Sequence, residues 1–93
     1  MFVVVAYDIR DAQRLRQMAV LCEGQGVRVQ NSVFEMTINT AEYILLVKQI
    51  KQIINSREDS VRLYKIGKRY PNKIDVLGVN AKLELGKDQL LLF

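Results

Sequence analysis

Hydrophobic residues along this chain change their spacing several times, and each change predicts a boundary between structural elements. Phe2–Tyr7 is an apolar run that is too short for a helix and is followed by charged residues. This pattern indicates a strand buried on both faces. Asp11 can cap a helix over about residues 12–24, ended by Gly24 and Gly26. The apolar positions of this helix follow the helical period: Ala12, Leu15, Met18, Ala19 and Cys22.

The next segment, residues 27–38, alternates apolar and polar residues, but the alternation changes phase. Val27 and Val29 are apolar at odd positions, whereas Phe34 and Met36 are apolar at even positions. Because a slip of one residue turns every side chain to the other face, the chain has to kink, bulge or turn within residues 30–32. Two short strands or one sharply bent ribbon would satisfy the pattern.

A second helix is the best-defined element of the sequence. Thr40 can cap it, and the polar residues Lys48, Gln49, Lys51 and Gln52 fall on the face opposite the apolar stripe. The stripe consists of Tyr43, Leu46, Val47, Ile50, Ile53 and Ile54.

The remaining pattern predicts strands and loops only. Val61–Ile66 and Ile74–Val79 read as strands on either side of the loop 67–72, and shorter apolar stretches surround residues 83–85 and 90–92. The order βαββαβ with an additional C-terminal strand predicts a ferredoxin-like α+β fold, with both helices on one face of an antiparallel sheet. A chain of 93 residues, 49% hydrophobic, suits a single domain over residues 1–93. That fold hosts many functions and selects none of them.

Several classes of protein and site are disfavoured by composition. The first apolar run has no basic region before it, and no segment approaches the roughly 20 apolar residues of a membrane-spanning helix, so we expect a soluble, cytoplasmic protein without a membrane partner. The chain has no histidine. Hydrolytic chemistry would therefore rest on carboxylates and a hard cation. The single cysteine, Cys22, lies on the apolar face of the first helix and is predicted to be an inert core thiol.

Positive charge is concentrated in the middle of the chain. Residues 48–73 contain eight Lys and Arg against Glu58 and Asp59, a local charge of +6, although the whole chain carries only +4. Such an excess suits a polyanionic partner, because phosphate contacts release counterions. A solvated helix face followed by a basic loop would give the same composition, and composition does not separate the two.

Three short runs carry a resemblance to a known family. They are Tyr7-Asp8-Ile9 after the first strand, Arg28-Val29-Gln30-Asn31-Ser32-Val33-Phe34-Glu35 after the first helix, and Asp59-Ser60-Val61-Arg62-Leu63-Tyr64 at the fourth strand. In this order and at these spacings the chain resembles the small CRISPR-associated adaptation protein over essentially its whole length. The second run is highly specific, whereas the first alone would be weak. The resemblance implies a homodimer that works with the CRISPR spacer integrase on DNA or RNA.

The resemblance also implies a metal site. Asp8 matches an aspartate that, with its counterpart from a second subunit, holds Mg²⁺ at the dimer interface, and Mn²⁺ is an alternative ion. Magnesium prefers one or two carboxylates, waters and phosphate oxygens, so this arrangement is chemically reasonable. Without the resemblance, Asp8 would be interpreted as a residue at a strand end or in a turn.

Further residues match positions that act on nucleic acid in the family. The resemblance implies that Arg14 and Arg16 face nucleic acid, and that Arg28 and Phe34 take part in nuclease activity by phosphate contact and by positioning the site or a base. Solvated arginines remain an alternative for Arg14 and Arg16. Phe34 also alternates in phase with Met36, so a core or dimer-interface residue is the alternative there.

Two segments depart from the family pattern. The basic loop 67–73 matches no family motif, and we expect Lys68, Arg69 and Lys73, with Arg10, to contact only the nucleic-acid backbone. Residues 79–93 form an expected C-terminal extension that pairs across the dimer or docks the integrase. It could equally be a last strand that packs on its own core.

Three functions remain open at this stage. The chain is a metal-dependent endonuclease that uses Asp8 of two subunits, or a non-catalytic scaffold that holds duplex DNA for the integrase. The third interpretation is a toxin-like messenger-RNA ribonuclease of the virulence-associated D type, which shares the fold and part of the second run.

Overall fold

The computed structural model describes residues 1–67 and 73–79. The predicted strands around residues 83–85 and 90–92, and all of the predicted extension except Val79, lie outside these residues. The strands are β1 (Phe2–Asp8), β2 (Val27–Gln30), β3 (Val33–Thr37), β4 (Ser60–Ile66) and β5 (Lys73–Gly78), and the helices are α1 (Ala12–Glu23) and α2 (Thr40–Ile53).

The strands form one antiparallel sheet with the order β2-β3-β1-β4-β5. The first four strands give the ferredoxin-like arrangement, and β5 extends the sheet beside β4. Buried residues of both helices pack in one cluster with buried residues of the sheet, which places the helices on the same face. The predicted fold class is confirmed.

The core lies between the helices and one face of the sheet. Val3, Val5 and Tyr7 alternate along β1 and are buried against Met18 of α1 and Leu46 of α2. The prediction that β1 is buried on both faces is only half met. Its other side chains are half-buried or exposed, because neither α1 nor α2 covers that side. We call that side the helix-free face; the register assigns to it Phe2, Val4, Ala6 and Asp8, with Val33, Glu35, Thr37, Ser60, Arg62, Tyr64 and Ile66 opposite them.

The phase change in residues 27–38 is a hairpin with a bulge. β2 ends at Gln30 and β3 begins at Val33, so the predicted turn is confirmed. Arg28 pairs with Phe34 and Gln30 pairs with Val33, which leaves Val29 as the extra residue. All four residues of β2 are exposed, because it is an edge strand next to β3 alone.

Both helices begin with a side-chain cap. The predicted cap of α1 is confirmed, since Asp11 accepts a hydrogen bond from the backbone N–H of Arg14 at 3.0 Å. The predicted cap of α2 is wrong by one residue. Asn39 accepts from the backbone N–H of Glu42, and the Glu42 carboxylate accepts from the backbone N–H of Asn39, both at 2.8 Å. This reciprocal box satisfies two N–H groups at once, which Thr40 could not do.

The two apolar stripes differ in how completely they are covered. In α2, Tyr43, Leu46 and Ile50 are buried as the pattern predicts. In α1 only Met18 and Cys22 are buried, and Leu15 stays 41% exposed. Among the described residues, no helix is long and apolar enough to cross a membrane.

Candidate functional site

Asp8 is the last residue of β1 and lies on the helix-free face, directly opposite Ser60 of β4. Its side chain is 68% exposed, and Oδ2 lies 3.8 Å from Nη2 of Arg10, which is exposed to the same degree. An exposed ion pair of this length adds little stability in water. The Asp8 carboxylate is therefore accessible to an incoming ligand.

The donors around Asp8 fit only certain ions. Within residues 1–67 and 73–79, no three His, Cys, Asp or Glu side chains lie close enough together to hold a metal ion. An ion at Asp8 would thus need ligands from water, from phosphate oxygens or from a second chain. Mg²⁺ and Mn²⁺ accept such a shell of one or two carboxylates completed by water and phosphate.

Arg16 and Arg28 lie along one groove, although the sequence separates them by a turn and a strand. The groove has a volume of about 540 Å³ and runs between α1 and the β2–β3 turn, where Asn31 and Ser32 form part of its wall. Tyr7, the neighbour of Asp8, lines the same groove. Two guanidinium groups in one groove suit a phosphodiester backbone, because each can donate two hydrogen bonds to a phosphate.

Phe34 supports this groove from inside the core. It is fully buried, so its ring has no free surface on which a base can stack. Its ring is stacked with that of Tyr7 at a centroid distance of 6.2 Å, and the guanidinium carbon of Arg28 lies 5.1 Å from its centroid. The core alternative therefore describes Phe34 better than contact with a base, and its effect on the site passes through Arg28.

Arg28 and Tyr7 both line the groove, and the charge of Arg28 acts on the Tyr7 hydroxyl. Arg28 Nη2 lies 3.0 Å from Oε1 of Glu23, in a pair that is about half exposed. The hydroxyl of Tyr7 is buried and has no hydrogen-bond partner among the described residues. Burial, together with the nearby Cys22, raises the pKa of Tyr7, while the charge of Arg28 lowers it.

Arg14 has different partners from those expected. Its side chain is 23% exposed; Nε lies 2.7 Å from Oδ2 of Asp59, and Nη2 lies 3.0 Å from Oε1 of Glu58. Its guanidinium is therefore not an ordinary solvated group in this structure. The position of Asp59 explains this, because a fully buried carboxylate requires a charged partner. The predicted contact of Arg14 with nucleic acid is untested by this geometry.

The basic middle of the chain is divided among several surfaces. Lys48 and Lys51 are exposed on α2, whereas Lys65 lies 2.9 Å from Oδ2 of Asp75. Lys73 begins β5 directly opposite Lys65. Lys68 and Arg69 lie outside the described residues. The composition of residues 48–73 thus does not translate into one continuous basic patch over the residues that the structure describes.

Cys22 is a buried free thiol, in agreement with its prediction as a core residue. Burial is the largest cause that raises its pKa, to about 12. The thiolate is therefore scarce at neutral pH, and Cys22 is unsuited to nucleophilic chemistry.

Sequence reasoning missed two contributors to this region. Tyr7 was noted only as part of a run, although it joins the Asp8 strand to the groove. Asp59 has no role in the sequence analysis beyond its charge and its place in the third run, although it is buried and binds Arg14. The available signal was the acidic pair Glu58-Asp59 directly before β4, but the partner that makes Asp59 structural is 45 residues away.

Comparisons with known proteins agree with the fold and with the family resemblance. The family described as CRISPR associated protein Cas2 matches residues 1–74. A CRISPR-associated endonuclease Cas2 of Halalkalibacterium halodurans is 32% identical, covering 91% of this chain and 94% of that protein. A CRISPR-associated endoribonuclease Cas2 of a Synechocystis species is 43% identical, covering 81% of this chain and 82% of that protein.

A solved structure gives the same result in three dimensions. Crystalline Streptococcus pyogenes Cas2 superposes with a TM-score of 0.69 at 41% identity, covering 75% of this chain and 90% of the other. The strand order, the three sequence runs and these similarities together show that the chain belongs to the Cas2 family of CRISPR-associated proteins.

Proposed function

We propose that this protein is a homodimeric subunit of CRISPR spacer acquisition that cleaves phosphodiester bonds of RNA or DNA at a site shared by Asp8 of both subunits. The observation that carries the proposal is the position of Asp8. It is an exposed carboxylate at the end of β1 on the helix-free face, and Tyr7, the residue before it, lines from the other face the groove that also contains Arg16 and Arg28. The names of the relatives, which include endonuclease and endoribonuclease, support the same activity.

The helix-free face supports the dimer. It mixes half-buried apolar residues such as Val4 with Phe2 and Ile66, which are 37% and 50% exposed. A second copy packed on this face would remove the apolar surface from water. Because a two-fold interface brings identical residues together, an axis near the end of β1 would place the two Asp8 side chains opposite each other.

The chemistry is divided between the ion and the chain. Mg²⁺, or Mn²⁺ in its place, would activate a water molecule and neutralise charge that develops on the phosphate. Asp8 of each subunit holds the ion at the strand end. Arg16 and Arg28 bind the backbone phosphates in the groove, and Arg10 adds a positive charge beside Asp8. Lys68, Arg69 and Lys73 extend these backbone contacts.

A scaffold function is the second candidate, and the groove favours it. Arg16 and Arg28 can hold a duplex backbone whether or not a metal ion is present at Asp8. In this function the chain positions DNA for the spacer integrase, which carries out the chemistry, and residues 79–93 pair across the dimer or dock the integrase. Both functions place the protein in the cytoplasm with the CRISPR locus.

One substitution separates the two functions. Asp8→Asn keeps the size of the side chain and removes the charge that binds the ion. We expect nucleic-acid cleavage in Mg²⁺ to fall by about 100-fold or more. The same variant is assayed for spacer integration with the integrase of its own locus. Unchanged cleavage would contradict the metal assignment, and lost cleavage with intact integration would make the scaffold function primary.

A further inference from the structure

The carboxylate of Asp59 accepts four hydrogen bonds close to the end of β1, and the proposed nuclease function assigns it no role. It is fully buried. Its Oδ1 accepts hydrogen bonds from the backbone N–H of Arg10 at 2.9 Å and from Nη2 of Arg14 at 3.2 Å. Its Oδ2 accepts from Nε of Arg14 at 2.7 Å and from the backbone N–H of Asn55 at 2.8 Å. One carboxylate thus joins three separate segments of the chain.

The hydrogen bond between the backbone N–H of Arg10 and the Asp59 carboxylate lies just beyond the end of β1. Asp8 and Ser60 are the last pair in the β1–β4 register, and β1 ends there. Two residues later, the Asp59 carboxylate accepts the N–H of Arg10 in place of a strand carbonyl. Asp8 is therefore fixed on both sides, by its pairing with Ser60 and by the anchored backbone of Arg10.

Arg14 keeps Asp59 in the geometry that this anchor requires. Its guanidinium contacts both carboxylate oxygens, and it belongs to the first turn of α1, where its own backbone N–H is bound by Asp11. Glu58 binds the same guanidinium from the exposed side. The start of α1 is thereby tied to the start of β4, with the Asp8–Arg10 segment between them.

The backbone of Asp59 is equally constrained. Its N–H donates to the carbonyl of Asn55 and its carbonyl accepts from the N–H of Val79, both at 2.8 Å. Gly78 lies against that carbonyl with φ +102°, so closely that a Cβ at position 78 would collide with it. The carboxylate is therefore presented from a rigid support, as a positioning group requires.

We propose that Asp59, held by Arg14, is the positioning residue for Asp8: it fixes the backbone after β1 so that the Asp8 carboxylate stays where a metal ion can bind. The activity part of this inference rests on the proposed function. It also assigns Arg14 to the support of the site and not to phosphate contact. If Asp59 positions Asp8, removing the Arg14–Asp59 pair should increase the mobility of residues 8–10 selectively. If the pair serves folding alone, mobility should increase uniformly over the chain.

Amide hydrogen exchange tests the anchor without any metal ion. The variants are Arg14→Met, which keeps an unbranched stem and removes the guanidinium, and Lys48→Met, which removes one charge from the exposed face of α2. In Arg14→Met we expect the exchange rate of the Arg10 amide to rise at least about tenfold more than that of Val5 in the centre of β1, whose rate follows global stability. Lys48→Met should leave both rates unchanged. Equal acceleration at Arg10 and Val5 would overturn the positioning role, and Asp59→Asn serves as an independent second variant.

Binding of Mn²⁺ tests the consequence for Asp8. The half-saturating Mn²⁺ concentration should rise about 10-fold or more in Arg14→Met, a size typical of groups that orient metal ligands, and Arg14→Lys should recover part of the loss. An unchanged Mn²⁺ affinity in Arg14→Met would overturn the positioning role while leaving the nuclease proposal intact. If the wild-type protein binds no Mn²⁺, the proposed function fails, and the exchange pattern alone decides whether Asp59 fixes the segment.

Discussion

Two arginine–carboxylate pairs near the end of β1 differ in distance and in burial. Arg10 and Asp8 are 3.8 Å apart, with both side chains about two-thirds exposed. Arg14 and Asp59 are 2.7 Å apart, with the carboxylate fully buried and the arginine largely covered. The first pair leaves both charges accessible to a ligand, whereas the second uses both charges inside the protein.

Residue type alone therefore does not assign a role to an arginine or a carboxylate near Asp8. Water screens the exposed pair, so breaking it has little effect on folding. The buried carboxylate has lost its hydration and depends on every hydrogen bond that it accepts. We therefore expect changes at Asp8 and Arg10 to affect chemistry and binding, and changes at Arg14 and Asp59 to affect the structure first.

The largest predicted effect is on stability at Asp59. Asp59→Ala removes the acceptor for the backbone N–H groups of Arg10 and Asn55 and leaves Arg14 without its main partner. The free energy of unfolding should fall by about 3 kcal/mol. Asp8→Ala is the matched control, and its effect should stay within about 0.5 kcal/mol. Denaturant titration measures both, and equal losses in the two variants would remove the distinction between the pairs.

The second prediction concerns acid. Burial alone would raise the pKa of Asp59, but the hydrogen bonds from Arg14 and from the backbone of Arg10 and Asn55 hold it below its ordinary value of 3.8. A lowered pKa means that its contribution to stability is present above pH 3.8 and is lost as the pH falls through the folded-state pKa. Asp75 behaves in the same direction, so wild type is compared with Asp59→Asn.

Unfolding titrations at a series of pH values between neutral and strongly acidic would measure this effect. The stability difference between wild type and Asp59→Asn should shrink as the pH falls below 3.8, because protonation removes the same charge that the substitution removes. A difference that stays constant down to the acid limit would show that the charge of Asp59 contributes nothing.

The smallest predicted effect is on the salt dependence of nucleic-acid binding. Arg16→Gln removes one arginine from the groove and should reduce the slope of log K against log salt by about 1. Arg14→Gln removes an arginine two residues away whose charge is used by Asp59 and Glu58, so its slope should change less. Binding of a short duplex at several salt concentrations measures both. Equal changes would place Arg14 in the interface after all.

The sequence predicted the fold well because its signals were local. The helical period of residues 43–50, the phase change near residues 30–32 and the cap at Asp11 each depend on neighbouring residues, and each appears in the structure. The error at the start of α2 was also local. Asn39 and Thr40 are both good caps, and only the reciprocal bond with Glu42 decides between them.

The site was less predictable because its contacts join distant parts of the chain. The Asp59 carboxylate meets Arg10 and Arg14 across 49 and 45 residues. No periodicity carries that information, so Arg14 was grouped with Arg16, although Arg14 binds Asp59 and Arg16 lines the groove. For Phe34 the local pattern was sufficient. It alternates in phase with Met36, which indicates a core residue, and its side chain is buried in the structure.

Counting bound Mn²⁺ ions per chain tests whether Asp8 of two subunits share one metal ion. Electron paramagnetic resonance of free Mn²⁺ during a titration gives the number of bound ions and their affinity. We expect one tightly bound Mn²⁺ ion for every two chains of wild type and none in Asp8→Asn. One ion in every chain, or the same binding in Asp8→Asn, would contradict this expectation.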